Sequence, residues 1–182
     1  MVKWLLSLDG NILLWIQENL RTDVLNSVFK FITSLGDGGV IWIALTAILL
    51  FYPKTRKVGL MCAFALIFSH IANNTILKNL ICRPRPFDSL ANLTVLIEKP
   101  TSFSFPSGHT ASSFACAWVM FRKLPGKFGV PAIILAALIG FSRLYIGVHY
   151  PSDVLAGMLG GILMSCLAMM VVESVADYKN SK

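Results

Sequence analysis

Three short stretches of this chain carry residue types that together can break a phosphate ester. The first is Lys78 with Arg83, Arg85 and Pro86, the second is Pro106-Ser107-Gly108-His109, and the third runs from Ser142 and Arg143 to His149 and Asp153. Such esters resist hydrolysis chiefly because the anion repels a nucleophile. A catalyst therefore supplies fixed positive charge and donors that strengthen as charge moves to the leaving oxygen. Lys78, Arg85 and Arg143 are three such cations, arginine as a planar fork for two oxygens and lysine as a compact point charge. The Ser107 hydroxyl and the Gly108 N–H complete a cradle. A neutral imidazole is a fair nucleophile near neutral pH, and a carboxylate on its second nitrogen sets the tautomer and stabilises the cation formed on attack. His149 and Asp153, four residues apart across Pro151 and Ser152, fit that pairing.

Each stretch taken singly has a plainer reading. Arg83 and Arg85 between prolines can anchor a membrane surface, Lys78 can snorkel from a helix end, and His149 with Asp153 can close a turn. The elements that carry the stretches decide between these readings. Proline and glycine around Ser107 mark a helix entrance with Ser107 as its N-cap, where unpaired N–H groups and the positive end of the helix dipole converge on an anion.

The 182 residues are 55% hydrophobic and 14% charged, with a mean hydropathy of +0.69. That composition is not a soluble one and reads as an all-α integral membrane bundle, a single domain over residues 1–182. Apolar runs at 38–52, 58–77, 110–121, 128–141 and 154–172 predict about five transmembrane helices within residues 38–173. Only the second and fifth approach the roughly 20 residues that a bilayer core requires. The net charge of +7 does not mark a nucleic-acid protein, because the basic residues form no stripe and fall in short joints between apolar runs. The four cysteines show no Cys-x-x-Cys spacing, so neither a zinc site nor a disulfide framework is indicated.

Residues 1–37 predict an amphipathic helix pair. No small-residue cleavage pattern follows the first apolar residues, so a secretory signal is not indicated. Asp9 is expected to cap the first helix, and Thr22 or Asp23 the second. The second helix should turn Val24, Leu25, Val28, Phe29 and Ile32 to one face and Asn26, Lys30 and Thr33 to the other, and Gly36 suits its end. Asp9, Glu18, Arg21 and Asp23 speak against a span here.

The joints set an orientation. Lys54, Arg56 and Lys57, then Arg122, Lys123 and Lys127, then Lys179 and Lys182 fall on one side of five alternating helices, and the positive-inside rule makes that side cytoplasmic. All three chemistry-bearing stretches then meet at the outer face, between residues 78 and 153.

The pattern of Lys78, six residues, Arg85-Pro86, then Pro106-Ser107-Gly108-His109, then Ser142-Arg143, five residues, His149, three residues, Asp153 resembles the signature of the type 2 phosphatidic acid phosphatase family. The resemblance implies a membrane lipid phosphatase with a phosphohistidine intermediate on His149, and it assigns to His109 the proton given to the leaving group. It implies no cofactor and no metal. The expected partners are a lipid phosphate or diphosphate and the bilayer, at the plasma membrane. A polyprenyl diphosphate of the undecaprenyl type is the first expectation, because a small chain leaves little room for headgroup recognition. Phosphatidate or phosphatidylglycerophosphate is the second, and a non-catalytic headgroup carrier or scramblase is the alternative of another class. Soluble haloperoxidases that bind vanadate share the constellation, but the hydropathy argues against them.

Other features have ordinary expectations. His70, Asn74 and Lys78 share one helix face and are read first as interhelical hydrogen-bond partners. Gly157, Gly161 and Ser165 form a small-residue stripe for packing within the bundle, and Asp37 belongs to a Gly-Asp-Gly-Gly turn. The apolar residues of the loop between Phe87 and Phe105 are expected to dip into the membrane interface as a lid.

Overall fold

The computed structural model describes residues 2–180, all of whose regular structure is helical. Helices α1 (Val2–Leu20) and α2 (Asp23–Leu35) precede a 3-10 turn (Asp37–Gly39) and α3 (Val40–Phe51). Helix α4 (Arg56–Ser69) continues through π-helical turns (His70–Leu77) into α5 (Lys78–Ile81), and α6 (Pro86–Ser89) is a single turn. The chain ends with α7 (Gly108–Lys123), α8 (Gly126–Tyr145) and α9 (Pro151–Asn180).

Helix α7 is the axis of the bundle, packed by α4, α8 and α9. Small residues make that approach possible. A Cβ on Gly157 would stand 2.6 Å from Ser107 O, and one on Gly161 would stand 2.9 Å from Ala115 N, so the stripe on α9 packs inside the bundle as expected. Trp42 of α3 is fully buried and donates to Ser113 Oγ of α7 at 2.8 Å, which leaves no indole N–H unpaired in the core.

By length and apolarity three helical runs can cross a membrane among the described residues: Arg56–Ser89, Gly126–Tyr145 and Pro151–Tyr178. Helices α2 and α3, bent by 45° at the glycine turn, make a fourth if taken together. Helix α7 has 16 residues, a rise of about 24 Å, and its neighbours rather than lipid surround it. Successive helices alternate, so the joints α3–α4 and α7–α8 and the end of α9 lie opposite the three chemistry-bearing stretches. Lys123 pairs with Glu173 at 2.5 Å at that far end. Lys182, grouped above with the basic joints, lies outside the described residues.

The N-terminal pair departs from expectation in instructive ways. Asp9 does not cap α1 but sits inside it, 2% exposed, because a guanidinium partner awaits it (below). Thr22 does cap α2, its Oγ1 accepting from Leu25 N at 3.3 Å, and Gly36 ends it. The two faces of α2 are mixed: Phe29, Ile32 and Thr33 turn toward the bundle, with Phe29 stacked on Tyr145 at 4.3 Å, whereas Val24, Leu25, Val28 and Phe31 point outward with Lys30. In a bilayer apolar residues can meet lipid as well as protein.

In the loop after α6, Leu93 packs on Leu13 and Tyr150, Val95, Leu96 and Ile97 pack on Tyr145, Ile146 and Val148, and Ile97, Pro100 and Ser102 line the cavity described below. Arg21 locks this arrangement. Its Nε and Nη2 donate to Tyr145 O at 3.0 and 2.7 Å, and its Nη1 donates to Thr94 O at 2.7 Å.

Candidate active site

The three stretches converge at one end of α7. A cavity of about 960 Å³ opens there, and Lys78, Arg85, Gly108, His109, Arg143 and His149 all line it. Asp153 and Ser107 lie in the wall behind, both fully buried, with Ser107 N donating to Asp153 O at 3.0 Å.

His149 follows a left-handed Gly147 (φ 82°), the tight turn that brings the chain from α8 back to α9. Its Nε2 lies 3.4 Å from Arg85 Nη1. A guanidinium only donates, so the lone pair is on Nε2 and the proton is on Nδ1. Nδ1 faces Asp153 Oδ2 at 3.6 Å, an electrostatic contact rather than a hydrogen bond. That carboxylate is fixed by Ser104 Oγ at 2.5 Å, Tyr150 N at 2.9 Å and Arg83 Nη1 at 2.6 Å. Burial pushes the His149 imidazole down to about 3; the Asp153 contact opposes this, and the charges of Arg143 and Arg85 add to it. The ring is therefore neutral near pH 7 with its lone pair toward the cavity.

The cations are held from behind. Arg85 donates to Ser102 O at 2.7 Å, Ser102 Oγ at 3.1 Å and Val148 O at 2.8 Å, so it is buried machinery and not a surface anchor. Arg143 donates through Nη1 to Thr33 Oγ1 at 2.6 Å, while its buried Nε has no partner among the described residues. An unsatisfied buried donor costs about 1–3 kcal/mol, and a phosphate oxygen would satisfy it. Lys78 stands at the top of the π-helical turns, with Asn74 and His70 below it on the same cavity wall. These two are cavity residues, with Asn74 Nδ2 and His70 Nδ1 3.4 Å apart. Gly108 is tight: a Cβ there would stand 2.5 Å from Asn74 Oδ1.

Ser107 occupies the N-cap position of α7, but its hydroxyl does not cap. It accepts from Thr110 Oγ1 at 2.9 Å and is absent from the cavity lining, so the hydroxyl is not part of the cradle surface. The residue that sequence reasoning missed is Asp37. It begins a turn as expected, yet its Oδ1 lies 2.8 Å from His109 Nε2. The sole sequence signal was its place at the same end of the bundle. Gly36 makes room, since a Cβ there would stand 2.8 Å from His109 Cδ2. Arg83, read as a possible anchor, is a part-buried partner of Asp153 and Asp9.

From the cations the cavity continues as a cleft between α3 and α4, where Ile43, Ala47, Leu50, Ala63, Leu66 and Ile67 form the lining. A polar head site opening into an apolar cleft within a helical membrane bundle defines a protein that handles phosphorylated lipids. The family model of the PAP2 superfamily matches residues 54–176, and the chain belongs to that superfamily. It is 36% identical over 156 residues to an undecaprenyl-diphosphatase of Sulfolobus acidocaldarius, covering 85% of this chain and 74% of that one. Among solved structures, Aquifex aeolicus LpxE matches with a TM-score of 0.78 at 28% identity, over 88% of this chain and 93% of the other. The transmembrane PAP2-type phosphatidylglycerolphosphate phosphatase from Bacillus subtilis matches with 0.73 at 30% identity, over 94% and 86%. The chain is a membrane lipid phosphatase.

Proposed function

We propose that the chain removes the terminal phosphate of a polyprenyl diphosphate of the undecaprenyl type. The observation that carries this is the single cavity in which the three cations and His149 stand at one end of an apolar cleft between α3 and α4. The diphosphate enters the polar end and the isoprenoid chain lies along the cleft. Lys78, Arg85, Arg143 and the Gly108 N–H bind the terminal phosphate. His149 Nε2 attacks its phosphorus, the bridging oxygen departs with the lipid phosphate, and Asp153 stabilises the imidazolium formed. His109 gives a proton to the departing oxygen and then takes one from the water that hydrolyses the phosphohistidine. The alternation of basic joints supports a site on the outer face of the plasma membrane.

The second reading is phosphatidylglycerophosphate, favoured by the likeness to the Bacillus subtilis phosphatase. Release of inorganic phosphate from a panel of polyprenyl diphosphate, phosphatidate and phosphatidylglycerophosphate in detergent micelles tests the choice. A preference in kcat/KM for either glycerolipid overturns the first reading.

A further inference from the structure

Asp153 offers two oxygens, and only one faces His149. Oδ2 lies 3.6 Å from His149 Nδ1, while Oδ1 accepts from Arg83 Nη1 at 2.6 Å. The other guanidinium nitrogen, Arg83 Nη2, lies 2.8 Å from Asp9 Oδ2 on α1. Asp9 also accepts from Ser152 N at 3.0 Å and from Ser152 Oγ, and the guanidinium of Arg83 lies over the Tyr150 ring at 4.0 Å. The Asp9 and Asp153 side chains are buried, 3% and 0% exposed, and Arg83 is mostly covered at 14%.

We infer that Arg83 and Asp9 are positioning residues for the chemistry at His149, a role that rests on the nucleophile assigned above. Neither lines the main cavity, so neither touches a phosphate there. Both act through Asp153. Arg83 occupies Oδ1, which leaves Oδ2 turned to the imidazole. Asp9 keeps the three-residue cluster at a net charge of −1, so the carboxylate still offsets the positive charge that appears on the ring as Nε2 attacks. Without Asp9 the cluster is neutral at that moment, and without Arg83 two buried carboxylates lie side by side and Asp153 is free to turn. The chain of ion pairs is not needed merely to fasten α1, because Gln17 and Arg21 already bind the loop at Asn92 and Thr94.

The test is a double-mutant cycle on the full chain in detergent, reading phosphate release from C55 polyprenyl diphosphate and from phosphatidate. R83Q should lower kcat about 10–100-fold on either lipid, the size of loss found when the carboxylate or carbonyl partner behind a metal-bound histidine is removed. D9N should lower it less, and the double variant should be no slower than R83Q alone, since Asp9 works through Arg83. KM should stay within about twofold of the parent, vanadate affinity should fall along with kcat because vanadate on His149 imitates the transition state, and R83K should recover part of kcat. Multiplicative losses in the double variant, or a raised KM with unchanged kcat, would overturn the inference. If R83Q does not fold, D9N and R83K decide: a kcat within about twofold of the parent in both overturns it. His149→Ala separates the two claims. Activity in that variant removes the nucleophile assignment itself, whereas an inactive His149→Ala beside an unaffected R83Q removes only the role of Arg83.

Discussion

Asp37 Oδ1 lies 2.8 Å from His109 Nε2, although the two are 72 residues apart and Asp37 belongs to none of the three chemistry-bearing stretches. The proton transfers proposed for His109 need its ring held at a fixed angle, and the carboxylate supplies that hold. Asp37→Asn should therefore slow hydrolysis of phosphatidate, whose leaving alkoxide needs a full proton, more than hydrolysis of a polyprenyl diphosphate, whose leaving phosphate is a weaker base. His109→Ala should cost about 10²–10⁴ in kcat on phosphatidate, and Asp37→Asn about tenfold. Equal losses on both lipids would show that Asp37 is only a turn residue.

The pH dependence follows from the burial of His149. Its folded value is lowered to about 3, below the ordinary histidine value of 6.5. Between those values the unfolded chain binds a proton that the folded chain does not. Stability from this group is thus complete above about pH 6.5 and is lost as pH falls toward 3. In catalysis Nε2 keeps its lone pair, so single-turnover phosphoenzyme formation should show no acid limb from His149 between about pH 7 and pH 5. A ring protonation of His149 seen near pH 6.5 by NMR would contradict the buried geometry.

The cleft between α3 and α4 can be closed without touching the head site. Ala63→Trp should fill it and lower kcat/KM for a C55 polyprenyl diphosphate by about tenfold or more, because binding energy remote from the reacting centre contributes to the rate. Hydrolysis of p-nitrophenyl phosphate, which has no chain, should be unchanged. A parallel fall on both substrates would place the lipid chain elsewhere.

Positive charge at the site comes from Lys78, Arg85 and Arg143, all on the cavity wall. Phosphate release is expected to persist in chelator and to be blocked by vanadate, which imitates five-coordinate phosphorus when His149 supplies the axial nitrogen. Strict dependence on added magnesium would point to a different mechanism.

Orientation can be read with a cysteine already present. Cys82 is exposed beside the site, whereas Cys62 and Cys116 are buried. An impermeant thiol reagent should label Cys82 in intact cells, and a cysteine at Pro53, in the exposed α3–α4 joint, only after lysis. The reverse pattern would invert the bundle.

What the sequence by itself determined is the family and which polar residues meet at one end of the bundle. Lys78, Arg85, Gly108, His109, Arg143, His149 and Asp153 were legible because each sits at a helix end marked by proline, glycine or charge, and because alternation of apolar runs must bring such ends to one side. The apolar runs at 128–141 and 154–172 likewise announced α8 and α9. Periodicity could not show which face of α2 turns inward, since a bilayer rewards an apolar exterior and so removes the usual link between apolar and buried. Nor could it reveal that Ser107 turns its hydroxyl to Thr110, that Asp37 holds His109, or that Asp9 and Arg83 stand behind Asp153. Those contacts join residues 3, 72, 74 and 70 positions apart. Over 70 positions and more, spacing along the chain carries no angle, and even across the 3 from Ser107 to Thr110 a hydroxyl can turn either way. Only the packing of α1, α2 and the glycine turn around the ends of α7, α8 and α9 decided which polar groups were left facing one another without water.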